Sequence, residues 1–229
     1  MTLISYRRTG GPDPQSDEAV EVSESGEVTG RRVVATGRAG RFTSRLDPAD
    51  LKSLEKVAAA IAGMAVDMEA PSRPPYEIED IETRAVSLSF HPEQKLPRPV
   101  TTLRNRLRKL YEDLAEHPAA ALEMAVHESG RSVQLRALGE SVCEVDWTNA
   151  SATWDLYDAR QAYESSGQLD FGLERGRQEL ASGWTREARL DGVSFSPEKT
   201  LQVRFVFSMK FEDDRWRDCQ LTAVAGKGW

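Results

Sequence analysis

Thr200-Leu201-Gln202-Val203-Arg204-Phe205-Val206-Phe207-Ser208-Met209-Lys210-Phe211 is the stretch on which the fold turns. Leu201, Val203, Phe205, Phe207, Met209 and Phe211 fall on every second position. In a strand, successive side chains point to opposite faces, so this alternation puts all of them on one buried side. Arg204 belongs on the other side. Glu212-Asp213-Asp214 then supplies turn residues, and Arg215 to Val224 can return as the second arm of a hairpin. The central element of the C-terminal half is therefore an antiparallel strand.

The pattern repeats toward the N-terminus. Leu122, Met124 and Val126 form one strand face, and Ser129-Gly130 turns the chain. Val133, Leu135 and Ala137 form the next face, and Gly139-Glu140 turns again. Cys143, Val145 and Trp147 follow, then Trp154 and Leu156. Gln161 to Gly167 is polar, and Asp170 to Ser182 reads as a helix or an ordered loop. Short strands separated by turn signals suggest a sandwich or a strongly bent antiparallel sheet.

The N-terminal half mixes both periods. Residues 2–9 read as a strand, followed by the breakers Gly10, Gly11, Pro12, Asp13 and Pro14. Residues 19–24 and 27–36 read as a hairpin around Ser25-Gly26, and a short strand over Gly40 to Leu46 follows. Asp47-Pro48 announces a helix, with Asp capping free backbone N–H groups and Pro in the first turn. Leu51, Leu54, Val57, Ala58 and Ile61 give it an apolar face, and Gly63 could end it. The prolines at 71, 74 and 75 make residues 69–76 a loop. Ile81 to Phe90 alternates and reads as one strand. His91 to Pro99 holds three prolines and is the best linker. Val100 to His117 is the clearest helix, with Val100, Leu103, Leu107, Leu110, Tyr111 and Leu114 on one stripe.

These elements give an α+β fold. The expected division is a small sheet-plus-helix domain over 1–95, a connecting helix over 96–117 and an antiparallel, sandwich-like β-rich domain over 118–229. The chain has 229 residues, enough for two small domains. Its net charge of −7 lacks the basic balance of a nucleic-acid binder, so no nucleic-acid partner is expected. No signal peptide is read in the first ten residues, and the alanine-rich run Val57 to Val66 is too short to span a bilayer. A soluble, cytoplasmic protein without membrane contact is the expectation. Cys143, Trp154 and Cys219 resemble an immunoglobulin-type disulfide with its packing tryptophan. Arg217, however, stands where that arrangement has its tyrosine, and cytosolic thiols stay reduced. Two free, buried thiols are expected.

No enzyme site emerges. His91, His117 and His127 are isolated, and His127-Glu128 begins a zinc-helix pattern that Ser129-Gly130 breaks. Gly37-Arg38-Ala39-Gly40 lacks the Lys-Ser/Thr of a phosphate loop. Gly139-Glu140-Ser141-Val142-Cys143 lacks the closing glycine of a nucleophile elbow, and Cys143 has acidic neighbours, Glu140, Glu144 and Asp146, that oppose a thiolate. Glu77, Glu79, Asp80 and Glu82, and again Glu212, Asp213 and Asp214, read as acidic turns. Arg98, Arg104, Arg106, Arg108 and Lys109 make one helix basic, and Glu112, Asp113 and Glu116 follow at spacings typical of a solvated, salt-bridged face. No metal and no cofactor are expected.

Tyr6-Arg7-Arg8-Thr9-Gly10-Gly11, then Val20-Glu21-Val22, the turn Ser25-Gly26-Glu27-Val28, Gly40-Arg41, Leu46, and a helix with Leu51 and Leu54 carry a resemblance. This order resembles the emfourin-type inhibitors of thermolysin-like metallopeptidases, over less than a third of the chain. Where family members continue with an aromatic residue and a further glycine, this chain reads Pro12-Asp13-Pro14. The resemblance implies a non-enzymatic protein that binds and inhibits a cytoplasmic metallopeptidase. Tyr6, Arg7, Arg8, Gly10, Gly11 and Pro12 are the candidate binding residues. Glycines let a partner approach closely, and Tyr and Arg are enriched at hot spots. The alternatives are an immunity or accessory protein of a toxin or defence system, and an enzyme of unrecognised type.

Overall fold

The computed structural model describes residues 1–10, 16–66 and 77–226. In chain order the elements are β1 (Thr2–Gly10), β2 (Ser16–Ser23), β3 (Glu27–Arg32), β4 (Val34–Thr36), β5 (Arg38–Arg45), α1 (Pro48–Ala59), β6 (Ile78–Thr83), β7 (Ser87–Phe90) and α2 (Arg98–Asp113). A 3-10 turn (Leu114–Glu116) follows, then β8 (Pro118–Val126), β9 (Ser132–Leu138), β10 (Cys143–Tyr157), β11 (Tyr163–Leu169), β12 (Arg177–Leu180), β13 (Thr185–Arg189), β14 (Thr200–Lys210) and β15 (Trp216–Gly226). Strands dominate, with two α-helices among the described residues, so the α+β class holds.

The chain forms two compact units: Met1–Arg32 with Arg41–Pro118, and Val33–Gly40 with Ala119–Trp229. These boundaries differ from a division at 95 and 117. The helix expected to connect domains, α2, lies inside the first unit. So does the proline-rich stretch 91–99, whose Pro97 caps α2 and whose Pro99 fills its first turn, where proline's missing N–H costs nothing. Residues 33–40 belong with the C-terminal half.

In the first unit the strand order is β5-β3-β2-β1-β6-β7. β1 pairs antiparallel with β2 on one side and β6 on the other. The β2–β3 hairpin closes through Gly26, whose φ of +81° favours glycine. The apolar positions of both inner strands fall on one face: Ile4 and Tyr6 beside Val22 and Val20, with Ile81 next in line. Helix α1 starts as its sequence dictates, with Asp47 Oδ1 accepting from Asp50 N at 2.8 Å. It ends at Ala59 in a helical C-cap at Ala60, ahead of Gly63. In α2, Val100, Leu103 and Leu107 are buried and Leu110 and Tyr111 half-buried, and Leu114 is buried just beyond it.

Ile81 to Phe90 is not one strand. β6 and β7 form a hairpin in which the Thr83 hydroxyl accepts from the N–H groups of Ala85 and Val86. That side chain mimics a turn without glycine or proline.

The second unit contains β13-β9-β8 and a second sheet, β11-β10-β14-β15-β4, with β12 beside β10. Here β10 pairs antiparallel with β11, β12 and β14, as do β13 with β9, β8 with β9 and β14 with β15, whereas β15 and β4 run parallel. One apolar core joins the two sheets, contributed by Leu122, Met124, Val133 and Leu135 from one and by Val145, Trp147, Phe205 and Leu221 from the other. That is the sandwich expected of the alternation. All six apolar side chains of the opening stretch are buried. Phe205 and Phe207 stack with centroids 5.2 Å apart, and Trp147 lies 5.8 Å from each. The β14–β15 hairpin turns with Asp214 at φ +58°. Within Asp170 to Ser182 the chain forms the short strand β12 rather than a helix. Cys143 and Cys219 are buried and form no disulfide, and burial raises the Cys219 thiol far above its usual pKa.

Candidate functional site

The six sequence-selected residues separate once β1 is folded. Alternation sends Tyr6 and Arg8 to the inner face under α2, and Arg7 to the outer face. Tyr6 is 3% exposed, so its ring is core. Its hydroxyl accepts from Arg108 Nε at 3.3 Å. Arg8 lies 2.8 Å from the buried Glu18 carboxylate. Arg7 donates to Asp17 at 2.8 Å with half its side chain in solvent, and Arg31 Nη2 meets the same carboxylate at 2.9 Å. Gly10 ends the strand at φ +96°, with its carbonyl accepting from Ser16 Oγ at 2.8 Å. Gly11 and Pro12 lie outside the described residues, as does the loop expected over 69–76.

The β1–β2 ladder runs unbroken from Ile4↔Val22 to Gly10↔Ser16, so the strands stay paired up to the residues that join them. Beneath this end, the inner face changes from apolar to charged. Arg8 stands opposite Glu18 on β2 and opposite Glu79 on β6, and Glu79 stands opposite Phe90 on β7. Glu79 is fully buried. It accepts from Arg104 Nε at 2.5 Å and Arg104 Nη2 at 3.1 Å, and also from Arg108. Arg104 Nη2 donates further to the Pro92 carbonyl at 2.6 Å, which ties the proline-rich turn to α2. Arg32 lies with its guanidinium carbon 4.8 Å from the Tyr111 ring centre.

Burial and charge shift the protons here. Burial, with the Glu79 charge, pushes the Tyr6 phenol up to about 12. Burial and Glu18 raise Tyr111 well above its usual value. Burial opposes the charge of Arg8, but Glu18 and the tyrosines outweigh it, so this guanidinium holds its proton more tightly than usual. Both buried carboxylates are thus met by cations. A buried charge left unmet is costly, whereas a paired and hydrogen-bonded one is tolerated.

Two expectations need correction. Glu79 is a strand residue inside the unit, not part of an acidic turn. Arg104 and Arg108 are not a solvated helix face but reach across to Glu79 and Tyr6. A signal existed in the sequence. In β1, β2 and β6 the charged residue continues the apolar alternation: Ile4-Tyr6-Arg8, Val22-Val20-Glu18 and Ile81-Glu79. In α2, Arg104 and Arg108 sit within the stripe of Leu103, Leu107 and Tyr111.

Among the described residues no group of three or more His, Cys, Asp or Glu side chains is placed to hold a metal ion. No described helix is long and apolar enough to cross a membrane. No protein-family model and no curated protein matches this sequence.

Proposed function

We propose that this protein acts by binding another protein, without catalysis of its own, and that it presents the end of the β1–β2 hairpin to that partner. The observation that carries this reading is the anchoring of the hairpin on both faces. Arg8, Glu18, Glu79 and the α2 arginines hold it from inside, and Asp17 ties Arg7 and Arg31 outside. Strand ends fixed in advance lose little entropy on binding. Arg7, Gly10 and the following Gly11 and Pro12 are then the contacting residues, while Tyr6 and Arg8 support them from below.

The resemblance of the first 65 residues to emfourin-type inhibitors makes a cytoplasmic thermolysin-like metallopeptidase the partner of choice. Strands paired up to Gly10 and Ser16 leave little slack for the distortion that cleavage between them demands. The test is to mix the purified protein with a thermolysin-like peptidase from the same genome at rising molar ratios and follow residual activity. Stoichiometric loss of activity, weakened by Arg7→Glu, is expected. Full activity at large molar excess, with no complex on size exclusion, refutes the inhibitor reading.

A further inference from the structure

The strands that end the sheets are not alike. An edge strand presents a row of unpaired N–H and C=O groups, and short length, charged side chains or proline keep other strands off it. β7 has four residues and β4 three. β12 has four and starts at Arg177, and β13 carries Arg186, Glu187 and Arg189. β11 has seven, Tyr163-Glu164-Ser165-Ser166-Gly167-Gln168-Leu169, and among the described residues pairs with β10 alone. It holds no Lys, Arg or Pro. Its ladder with β10 is regular from Ala152↔Leu169 to Leu156↔Ser165, and a bulge follows with Glu164 as the extra residue. Gly167 lies so close to the Trp154 ring that a Cβ would sit 2.7 Å from it. Tyr163 and Ser166 share a hydrogen bond at 2.8 Å between their hydroxyls. The edge is therefore open, unguarded and held in place.

Charge says what covers it. The chain carries a net charge of −7, so two copies repel over much of their surface. Along β11 the one charged residue, Glu164, is balanced by Lys199 at 2.5 Å. We propose that β11 pairs antiparallel with β11 of a second copy, about a twofold axis at Ser166. This register sets Glu164 against the partner's Gln168 and Ser165 against the partner's Gly167, with no like charges opposed. An axis at Gly167 would instead set Glu164 against the partner's Asp170, and like charges directly opposite are destabilising. Tyr163, 61% exposed, borders the seam opposite the partner's Leu169. One short strand pair falls below the ~1,000 Å² of a stable interface, so the dimer is weak and forms at high concentration. The pairing stands whether or not the hairpin end of the other unit binds a protein.

The experiment is sedimentation equilibrium of the full chain up to millimolar concentration, where a reversible monomer–dimer equilibrium is expected. Ser166→Lys sets two lysines side by side across the axis and should weaken the dimer ~5-fold or more. Ser166 is exposed, so the melting midpoint at low concentration should not move. Gln168→Lys faces the partner's Glu164 and should tighten the dimer ~2–30-fold, since symmetry forms each new pair twice. Gln134→Lys, exposed on β9, changes the net charge equally and should leave the dimer constant where it was. Should Ser166→Lys fail to fold, the comparison of Gln168→Lys with Gln134→Lys still decides. A monomer at millimolar concentration would overturn the proposal. So would a dimer that a folded Ser166→Lys does not weaken, or one that Gln168→Lys tightens no more than Gln134→Lys. Protection of β11 from hydrogen exchange by the peptidase, with none on self-association, would assign the edge to another protein and overturn it as well.

Discussion

Replacing Glu79 with leucine should be among the most damaging single changes in the first unit. The carboxylate is fully buried between two guanidiniums. Without it, Arg104, whose side chain is 10% exposed, keeps only the Pro92 carbonyl as an acceptor among the described residues. Removing one partner of a buried pair leaves an uncompensated charge, at a cost of ~3–5 kcal/mol. Arg108 adds little, because its side chain is 38% exposed and water can take over its donors. The second half of the prediction is more discriminating. Glu79→Leu combined with Arg104→Met replaces the pair by apolar groups of similar size, and such replacements are often neutral. Most of the lost stability should therefore return in the double variant. Urea unfolding of both single variants and the double variant, followed by far-UV circular dichroism and by amide hydrogen exchange of β1 and α2, gives the cycle. A Glu79→Leu protein within ~1 kcal/mol of the parent would refute the buried layer. So would a double variant no more stable than Glu79→Leu alone.

Other outcomes follow from the same structure. Phe205→Ala, in the centre of the sandwich core, should cost ~3–5 kcal/mol by lost transfer energy and a cavity, and an unchanged denaturation midpoint would contradict the packing. Tyr6 should stay protonated in the folded state up to about pH 12. An unfolded tyrosine ionises near ~10, so the folded state binds this proton more tightly. Stability from this group is then full below pH ~10 and lost as pH rises toward 12, and absorbance at 295 nm should show its phenolate appearing only with unfolding. Gly40→Ala should destabilise far more than Gly37→Ala. Both have positive φ, but a Cβ at Gly40 would sit 2.4 Å from the Ala120 carbonyl oxygen, while one at Gly37 meets nothing within 4 Å. Equal unfolding midpoints for the two variants would contradict that contact.

Period and punctuation in the sequence exposed much of the fold. The alternation at 201–211 places β14, Asp47-Pro48 places the start of α1, and Ser25-Gly26 places the first hairpin. The losses have physical causes. The β6–β7 turn is made by a threonine side chain, which leaves no glycine or proline to read. β12 and β13 each bury a single residue, Leu180 and Ala188, so neither shows an apolar period. Residues 33–40 join the C-terminal unit, a division that local pattern does not encode. The charged layer was missed because arginine and glutamate ordinarily mark solvated faces. Only their continuation of the apolar spacing on several elements at once distinguishes them. Of the candidate binding residues, alternation alone already separates Arg7 from Tyr6 and Arg8, although the resemblance groups them.

The claim that the hairpin end is the binding surface is tested most directly by amide hydrogen exchange of the protein with and without the peptidase. New protection confined to the residues around Gly10 and Ser16, with Arg7 and its neighbours at the border, is the predicted result. Protection centred elsewhere in a stable complex, for example on β11 or β13, or no change at saturating peptidase, would contradict it.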